Sequence, residues 1–289
     1  MKLTTSNEKL KQIKKAGFVL KPDSPEIKGE YNIIKNHFLN VNIEVILEKN
    51  SAIMIEEEGG LELDELCNCT DFLVSIGGDG TLISVVRRSF KYNIPVLGIH
   101  QGTLGFLTDI RFSEVENFLS LMLKHEYRID QRMMIQGSAK EQKFVAFNDI
   151  VITRKSISSM ISLDAKIDGR PFNSYYGDGV IISTPTGSTA YNLSVGGPIV
   201  YPLTEAFIVT PIAPHSLTQR PLVLPADFKI EFTVTHKQGA LVIIDGQDIY
   251  EINENESVII EISNNKAKLI HRCKRNYFEV LNEKLRWGN

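Results

Sequence analysis

A glycine-rich segment, Ser75 to Thr81 (SIGGDGT), has the composition of a phosphate-binding loop. It lies between a predicted buried strand, Asp71 to Ile76, and a predicted helix, Leu82 to Tyr92. Glycines let backbone N–H groups approach a phosphate closely, and the N-terminus of a helix adds a favourable potential. Asp79 would repel phosphate, so its presence here indicates the handling of a proton or a metal ion. The alternative is a tight turn in which Asp79 or Thr81 caps the helix.

A second segment, Asp178 to Tyr191, is rich in hydroxyl groups and reads DGVIISTPTGSTAY. Hydroxyls donate and accept hydrogen bonds, so they suit the edge of an adenine or a ribose. Gly187 and Ala190 are small enough to leave room for a flat base, and Tyr191 can stack or bond through its hydroxyl. The alternative is a surface loop, but Gly179 to Thr204 contains no charged residue, which argues against exposure. The hydroxyls belong to Ser183, Thr184, Thr186, Ser188 and Thr189.

The commonest nucleotide-binding signatures are missing from the sequence, which has neither the Gly-Lys of a P-loop nor a G-x-G-x-x-G. GGDGT instead resembles the loop shared by NAD kinases, diacylglycerol and sphingosine kinases and, more loosely, phosphofructokinases. The hydroxyl-rich segment, together with Gly196 to Pro202 (GGPIVYP), resembles the NAD kinase signature specifically. The resemblance spans Phe72 to Gln247 and includes, in the family's order, Gly98 to Thr108, Asn148-Asp149, Thr210 to Leu217, Arg220 to Pro225 and Asp245 to Gln247.

The resemblance implies transfer of the γ-phosphoryl group of ATP to the 2′-hydroxyl of the adenosine ribose of NAD. It implies that Asp79 activates that hydroxyl, as a general base or by orienting it. The implied phosphate cradle is Gly77, Gly78, Gly80 and Thr81. The implied NAD-binding residues are Phe106, Asn148, Asp149, Asp178, Thr186, Thr189, Ala190, Tyr191, Ala213 and Gln247. Mg²⁺ should accompany the donor triphosphate without a dedicated protein cage.

Within that set, Asn148 and Asp149 are expected to hold ribose hydroxyls and Asp178 to lie near the nicotinamide end. Asn148-Asp149 ends a predicted strand beginning near Phe144; without the family match, a turn pair is the simpler interpretation. The family more usually has Asn-Glu there, so the shorter Asp149 is expected to make a longer or water-bridged contact. His100 also departs from the family, which usually has asparagine, and is a candidate substrate contact.

Strands alternate with helices in the first part of the chain, which indicates a parallel α/β sheet. Predicted strands are Phe18 to Leu20, Val41 to Leu47, Asp71 to Ile76 and Pro95 to Ile99, and predicted helices are Ser24 to Leu39, Leu82 to Tyr92 and Val115 to Lys124. We therefore expect an α/β N-terminal domain, residues 1–126, with a parallel sheet.

The chain changes character near Tyr127 and becomes mainly β. Strands are predicted over Arg128 to Gly137, Phe144 to Thr153, Ile161 to Ile167, Val180 to Thr184, Phe228 to Thr235, Leu241 to Ile244 and Ser257 to Ile262. Asp168-Gly169 is a hairpin signal, and Asp245-Gly246 follows a predicted strand in the same way. We expect a β-rich NAD-binding domain, residues 127–265, and a tail, residues 266–289, with a helix over Tyr277 to Trp287 that returns to the N-terminal domain.

Composition excludes several classes of protein. A net charge of -3 gives no support to a nucleic-acid or anionic-membrane partner. Three cysteines do not make a disulfide framework, and no signal peptide or membrane span is evident, so we expect a reduced, cytoplasmic protein. The rival enzyme is a lipid kinase with the same loop, which would need an apolar groove or membrane face; the non-enzymatic rival is a dinucleotide sensor, which the retained Asp79 argues against.

The family resemblance implies a homodimer or homotetramer. Leu203 to Leu224 is largely uncharged and groups Phe207, Ile208, Val209 and Ile212. Its prolines suggest that much of it is neither helix nor central strand, so a neighbouring subunit is one candidate to cover it. The alternative is that the stretch folds over its own sheet. If a subunit covers it, Ala213 would reach the partner's NAD site.

Overall fold

The fold is a computed structural model that describes residues 8–102, 105–156, 158–274 and 276–286. The chain forms two compact units, Met1–Gln131 with Ala267–Asn289, and Arg132–Lys266. The first unit is α/β and the second is mainly antiparallel β, which confirms the predicted fold class. None of the helices in these ranges is long and apolar enough to cross a membrane.

The helices are α1 (Lys28–Asn40), α2 (Lys49–Met54), α3 (Leu63–Cys69), α4 (Asp79–Ser89), α5 (Val115–Leu123), α6 (Tyr191–Ser194) and α7 (Tyr277–Leu285). The strands are β1 (Lys15–Leu20), β2 (Glu44–Leu47), β3 (Phe72–Gly77), β4 (Val96–His100), β5 (Ile110–Arg111), β6 (Tyr127–Arg132), β7 (Ile135–Ala139), β8 (Gln142–Ala146), β9 (Asp149–Thr153), β10 (Ile161–Ile167), β11 (Arg170–Gly177), β12 (Gly179–Ser183), β13 (Ala206–Ile212), β14 (Leu222–Pro225), β15 (Ile230–Val234), β16 (Ala240–Ile244), β17 (Asp248–Ile252), β18 (Ser257–Ile262) and β19 (Ala267–Arg272).

The sheet of the first unit has the order β2-β1-β3-β4-β19-β6, with β5 paired to β4. The pairs from β2 to β4, and those of β4 with β5 and β19, are parallel. Every residue of β3 is buried, the pattern of an interior parallel strand. After β1 the chain passes to β2 on one side of β1, whereas β3 and then β4 lie on its other side. The loops after β1 and β3 therefore leave the sheet in opposite directions. Such a switch point is where parallel sheets bind ligands.

The second unit contains two six-stranded sheets, β11-β10-β15-β18-β7-β8 and β14-β13-β12-β9-β16-β17. Both sheets contribute to one apolar core, including Ile150 and Val180 from one and Phe232 and Ile260 from the other. Two tight turns follow the hairpin signals in the sequence. Asp168 and Gly169, and Asp245 and Gly246, all have positive φ, from 49° to 76°, as a two-residue hairpin turn requires.

Several predicted elements differ from the structure. Arg128 to Gly137 and Phe144 to Thr153 are each two strands, because the chain bends at Met133-Met134 and at Phe147-Asn148. Asp149 therefore begins a strand rather than ending one. The short helices α2 and α3 were not predicted, since six or seven residues give too few turns for a periodic pattern.

The prediction that the apolar group within Leu203 to Leu224 lies outside helices and central strands was wrong. Phe207, Ile208 and Val209 lie in β13 and are buried within their own unit, so no partner is needed to cover them. Pro211 is tolerated in this strand because β14 pairs only as far as Val209, leaving one neighbour beside the proline.

The C-terminal strand β19 is tied into the first sheet by a buried ionic cluster. His271 places Nδ1 3.3 Å from a carboxylate oxygen of Asp109 and Nε2 3.7 Å from one of Asp130. The guanidinium of Arg128 lies 3.0 Å from the other oxygen of Asp130. His271, Asp109 and Asp130 are all less than a tenth exposed, so the imidazole separates two carboxylates that have little access to water.

We predict that His271→Ala destabilises the first unit. Removing the imidazole takes away a polar group that lies between two buried carboxylates, and losing such a neighbour of a buried charge costs about 3–5 kcal/mol. Urea unfolding, followed by circular dichroism, would show this as a lower midpoint. The matched control is His37→Ala, which alters a half-buried histidine of α1. Equal midpoints for the two variants would contradict a structural role for His271.

Candidate active site

The glycine-rich loop joins β3 to α4 at the carboxyl edge of the first sheet. Gly77 ends β3, Gly78 precedes the helix and α4 begins at Asp79. A Cβ at Gly77 would lie 2.5 Å from the Thr81 hydroxyl, so packing requires glycine there. A Cβ at Gly78 or Gly80 would meet nothing within 4 Å. Neither glycine places a side chain on this open side, which favours close approach of a phosphate to the loop.

The Asp79 carboxylate is held by the loop that precedes β5. It accepts hydrogen bonds from the backbone N–H groups of Phe106 (2.8 Å), Leu107 (3.3 Å) and Thr108 (3.1 Å) and from the Thr108 hydroxyl (3.0 Å). Four donors fix both the side chain and the loop. Phe106, predicted to bind NAD, thus lies beside the predicted catalytic aspartate.

Gly105 and Thr108 position the Asp79 carboxylate, and the sequence analysis quoted them only within a longer segment. A Cβ at Gly105 would collide with the Asp79 carboxylate, so the aspartate can occupy its place only beside a glycine. Gly105 and Thr108 flank the apolar pair Phe106-Leu107. Nothing in the sequence indicates that they contact Asp79, which lies far earlier in the chain.

A cavity of about 260 Å³ adjoins this loop on the side of β1. Thr81, Ser84 and Arg88 of α4 line this cavity together with Glu48. The Glu48 carboxylate accepts hydrogen bonds from the Ser51 backbone and hydroxyl and forms an ion pair of 3.3 Å with Arg88. The remaining lining is apolar side chain and short polar groups from Val19, Leu20, Pro22, Asp23, Asn50, Met54 and Val85.

His100 ends β4 and stands opposite Gly77 in the register of β3 and β4. The side chain is 2% exposed, and within the described residues neither ring nitrogen completes a hydrogen bond. The structure thus places this candidate next to the phosphate loop.

In the second unit, Asp245 organises the predicted ribose-binding pair. Its carboxylate accepts hydrogen bonds from the backbone N–H groups of Phe147 (2.8 Å), Asn148 (2.7 Å) and Asp149 (2.9 Å). The bend between β8 and β9 is thereby fixed. The Asn148 side-chain oxygen is buried and has no hydrogen-bond partner among the residues described, so it is available to a ligand.

Asp149 is 4% exposed and lies near the Asp245 carboxylate. Burial, and secondarily the charge of Asp245, raises the pKa of Asp149 to about 7. At neutral pH a large share of the molecules therefore carries Asp149 as a neutral acid, which can donate a hydrogen bond as well as accept one.

Most hydroxyls of the second segment serve the fold rather than a ligand. Ser183 donates to the Thr184 carbonyl (2.9 Å), Thr184 to the Phe147 carbonyl (2.7 Å) and Ser188 to the Pro185 carbonyl (2.7 Å). Gly187 has a structural reason to be small, because a Cβ there would collide with the Asn148 carbonyl. The part of these four residues in an adenosine pocket stays a prediction.

Thr186 is the hydroxyl of this segment that fits the original interpretation. The Thr186 side chain is buried, and its hydroxyl oxygen has no hydrogen-bond partner in the described chain. Thr189 makes one long hydrogen bond, 3.4 Å, to the Thr186 carbonyl. Ala190 is half-buried, and Tyr191 is 46% exposed at the start of α6.

The fully buried Asn192 was missed by the sequence analysis. Its amide donates to the carbonyls of Ser188 and Pro198 (3.1 Å each), and its oxygen accepts from the Thr210 hydroxyl (2.6 Å). A Cβ at Gly197 would collide with it. Asn192 thus links the hydroxyl-rich segment to GGPIVYP. The only sign of this role in the sequence is a polar amide among small residues.

The remaining predicted NAD-binding residues lie at loop positions of the second unit. Asp178 precedes β12 and forms a bidentate ion pair with Arg154, whose guanidinium nitrogens lie 3.0 and 3.2 Å from the two carboxylate oxygens. Ala213 follows β13 with a φ of 41°, and exposed Gln247 completes the turn between β16 and β17. Within the described ranges, no group of three or more His, Cys, Asp or Glu side chains could enclose a metal ion.

Comparison with known proteins identifies the family of the chain. The family model of the ATP-NAD kinase N-terminal domain matches residues 17–127, and that of the C-terminal domain matches residues 147–272. The chain is 51% identical to the NAD kinase of Sulfurimonas denitrificans over 96% of this chain and 99% of that protein. It is 47% identical to that of Wolinella succinogenes, over 97% and 98%.

Solved structures show the same fold. Yeast NADH kinase complexed with NADH has a TM-score of 0.86 at 26% identity and covers 96% of this chain and 89% of its own. An NAD kinase from Archaeoglobus fulgidus in complex with ATP has a TM-score of 0.76 at 29% identity, over 94% and 98%. With both family domains matched and relatives this similar over nearly the whole length, the chain belongs to the NAD kinase family, whose members phosphorylate NAD to NADP.

Proposed function

We propose that this protein transfers the γ-phosphoryl group of ATP to the 2′-hydroxyl of the adenosine ribose of NAD. The observation that carries the proposal is the bare backbone of Gly78 and Gly80 at the start of α4, beside a carboxylate fixed by four hydrogen bonds. Incubating the protein with ATP, Mg²⁺ and NAD tests it by the appearance of NADP. Parallel reactions with polyphosphate or NADH define the donor and acceptor range.

The donor is assigned to the first unit. Gly77, Gly78, Gly80 and Thr81 cradle its phosphates, and the cavity beside Thr81 has room for the nucleoside. Mg²⁺ bound to the triphosphate would neutralise part of its charge, and it would need few protein ligands, as is usual for this cation at nucleotide sites.

The acceptor is assigned to the second unit. Asn148 and Asp149 hold ribose hydroxyls, and the unpartnered Thr186 hydroxyl lies in the adenosine pocket with Thr189, Ala190 and Tyr191. Because Asp149 is partly protonated at neutral pH, it can donate to a ribose oxygen. Phe106, Asp178, Ala213 and Gln247 complete the proposed NAD-binding set.

In the reaction, the 2′-oxygen forms a bond to the γ-phosphorus while the bond from that phosphorus to the bridging oxygen breaks. ADP leaves with the electron pair, and the hydroxyl proton passes to Asp79 or, where Asp79 only orients the hydroxyl, to solvent. Positioning and charge neutralisation supply most of the rate enhancement, since the protein forms no covalent intermediate.

We also propose a cytoplasmic homodimer or homotetramer with its contact in the β-rich unit. Cys67, Cys69 and Cys273 are free thiols, which suits a reducing compartment. The edge strand β14 exposes 40% of Leu222 and 46% of Val223, and Leu217 before it is 89% exposed. An apolar edge of this kind favours pairing with another copy.

Asp79→Asn is expected to lower kcat roughly 10²- to 10⁴-fold, because asparagine cannot take a proton and its amide opposes the N–H groups of the loop. Gly105→Ala should also lower kcat, since it displaces the carboxylate without changing its chemistry. Steady-state kinetics checks both variants. NAD affinity should persist, and near-normal turnover of folded Asp79→Asn protein would exclude the assignment.

Asp149→Ala is expected to weaken NAD binding more than ATP binding, measured by calorimetry.

The raised pKa of Asp149 also predicts that the stability of the protein depends on pH. Between about pH 4, where the unfolded carboxyl ionises, and pH 7 only the folded state keeps the proton, so stability falls as pH rises through this window.

Asp149→Asn serves as the control for this pH effect, because it mimics the neutral acid at every pH. Its unfolding temperature should exceed that of the native protein at about pH 8 and differ little at about pH 4. Equal losses of NAD and ATP affinity in Asp149→Ala would show that the residue is misplaced on the acceptor.

Light scattering on dilute protein is expected to give a dimer or tetramer, stabilised by NAD through mass action. Val223→Glu should yield smaller species, because it charges the exposed edge strand. Ile249→Glu is the matched control, on β17 at the opposite edge of the same sheet, where Ile249 is 62% exposed. A strictly monomeric native protein with full activity would contradict the proposed assembly.

A further inference from the structure

His100 is a buried polar residue that the reaction above leaves unused. Its imidazole is 2% exposed, and neither ring nitrogen completes a hydrogen bond within the described residues. Burying such a group without a partner costs free energy, so native proteins rarely do it without a reason. The Gly102 backbone lies close to the ring without completing a hydrogen bond, so this imidazole at the carboxyl edge of a parallel sheet keeps hydrogen-bonding capacity for a ligand.

The His100 ring is neutral at physiological pH. Burial lowers its pKa, and the positive charge of Arg111 acts in the same direction, whereas the Gly102 backbone and the acids Glu114 and Asp79 oppose the shift. Because the net shift is downward from an ordinary value of 6.5, the ring keeps one N–H donor and one acceptor. It can therefore bind a phosphoryl oxygen without carrying a charge.

The neighbours of His100 indicate what it binds. In the sheet register it lies between Gly77 of the phosphate loop and Arg111 of β5, and the Gln101 N–H donates to the Gly77 carbonyl at 3.2 Å. Arg111 is exposed and positive. A helix N-terminus, a cation and a neutral N–H donor at one edge favour an anion with several oxygens.

We infer that His100 is a phosphate-binding residue whose ring N–H donates a hydrogen bond to the γ-phosphoryl group of the donor. The inference rests on the proposed function, since it takes a nucleoside triphosphate as the donor. The ring neither accepts nor releases a proton during transfer, so an amide side chain with one donor and one acceptor group should replace it.

The first test compares three variants. His100→Leu should lower kcat/KM for ATP roughly 10- to 100-fold, the range for a hydrogen bond to a charged group, and leave the calorimetric affinity for NAD unchanged. His100→Asn should recover most of that loss. Ile99→Ala is the control for damage to β4, because its side chain lies on the opposite face of the strand; it should lower the unfolding temperature without a selective effect on ATP.

The second test is direct. In protein with ¹⁵N-labelled histidine, the His100 ring signals, assigned by their absence in His100→Asn, should shift with the Mg²⁺ complex of the non-hydrolysable analogue β,γ-imido-ATP and not with NAD. A shift with NAD alone, no shift with either, or a His100→Asn variant as impaired as His100→Leu would overturn the inference. Native protein that makes no NADP would instead refute the proposed function.

Discussion

A single aspartate that accepts hydrogen bonds from consecutive backbone N–H groups determines the geometry in each unit. Asp79 holds residues 106–108, and Asp245 holds residues 147–149. Bonds to an ionised carboxylate are stronger than neutral ones, and they satisfy amides that an irregular loop would otherwise leave unpaired. The phosphate loop and the Asn148-Asp149 pair lie on, or directly beside, these fixed loops, whereas Asp178 and Ala213 lie at the opposite end of β12 and β13.

These two aspartates also couple the conformation of each loop to the charge of its site. An aspartate that organises a loop is also a negative charge near the place where substrates with negative charge must bind. In the second unit this charge contributes to keeping a proton on Asp149. In the first, Gly105 leaves space for the carboxylate, so the backbone of one loop and the side chain of another must be placed together. A small change in either would move the site without altering the fold.

Local sequence patterns predicted much of this architecture. The buried run before GGDGT identified β3, the alternation of strands and helices identified the parallel sheet, and Asp-Gly pairs marked two hairpins. The two family-like segments located the loop and the hydroxyl-rich region. What stayed hidden depends on distant partners: the roles of Gly105 and Asn192 follow from contacts with Asp79 and Thr210 that no short-range spacing encodes. Similarly, the hydroxyls of Ser183, Thr184 and Ser188 have backbone partners that only the folded loop provides.

The position of β19 has a consequence for how the chain is made. Residues 132–266 are contiguous and can close both of their sheets as soon as they leave the ribosome. The first unit cannot do so, because its sheet lacks the strand between β4 and β6 until Arg272 has been synthesised. During that interval the edges of β4 and β6 that β19 will cover stay open to pairing with other nascent chains. Strand β19 thus completes the unit whose other strands were synthesised first, and the sheet that carries the phosphate loop is closed only after Arg272 has been added.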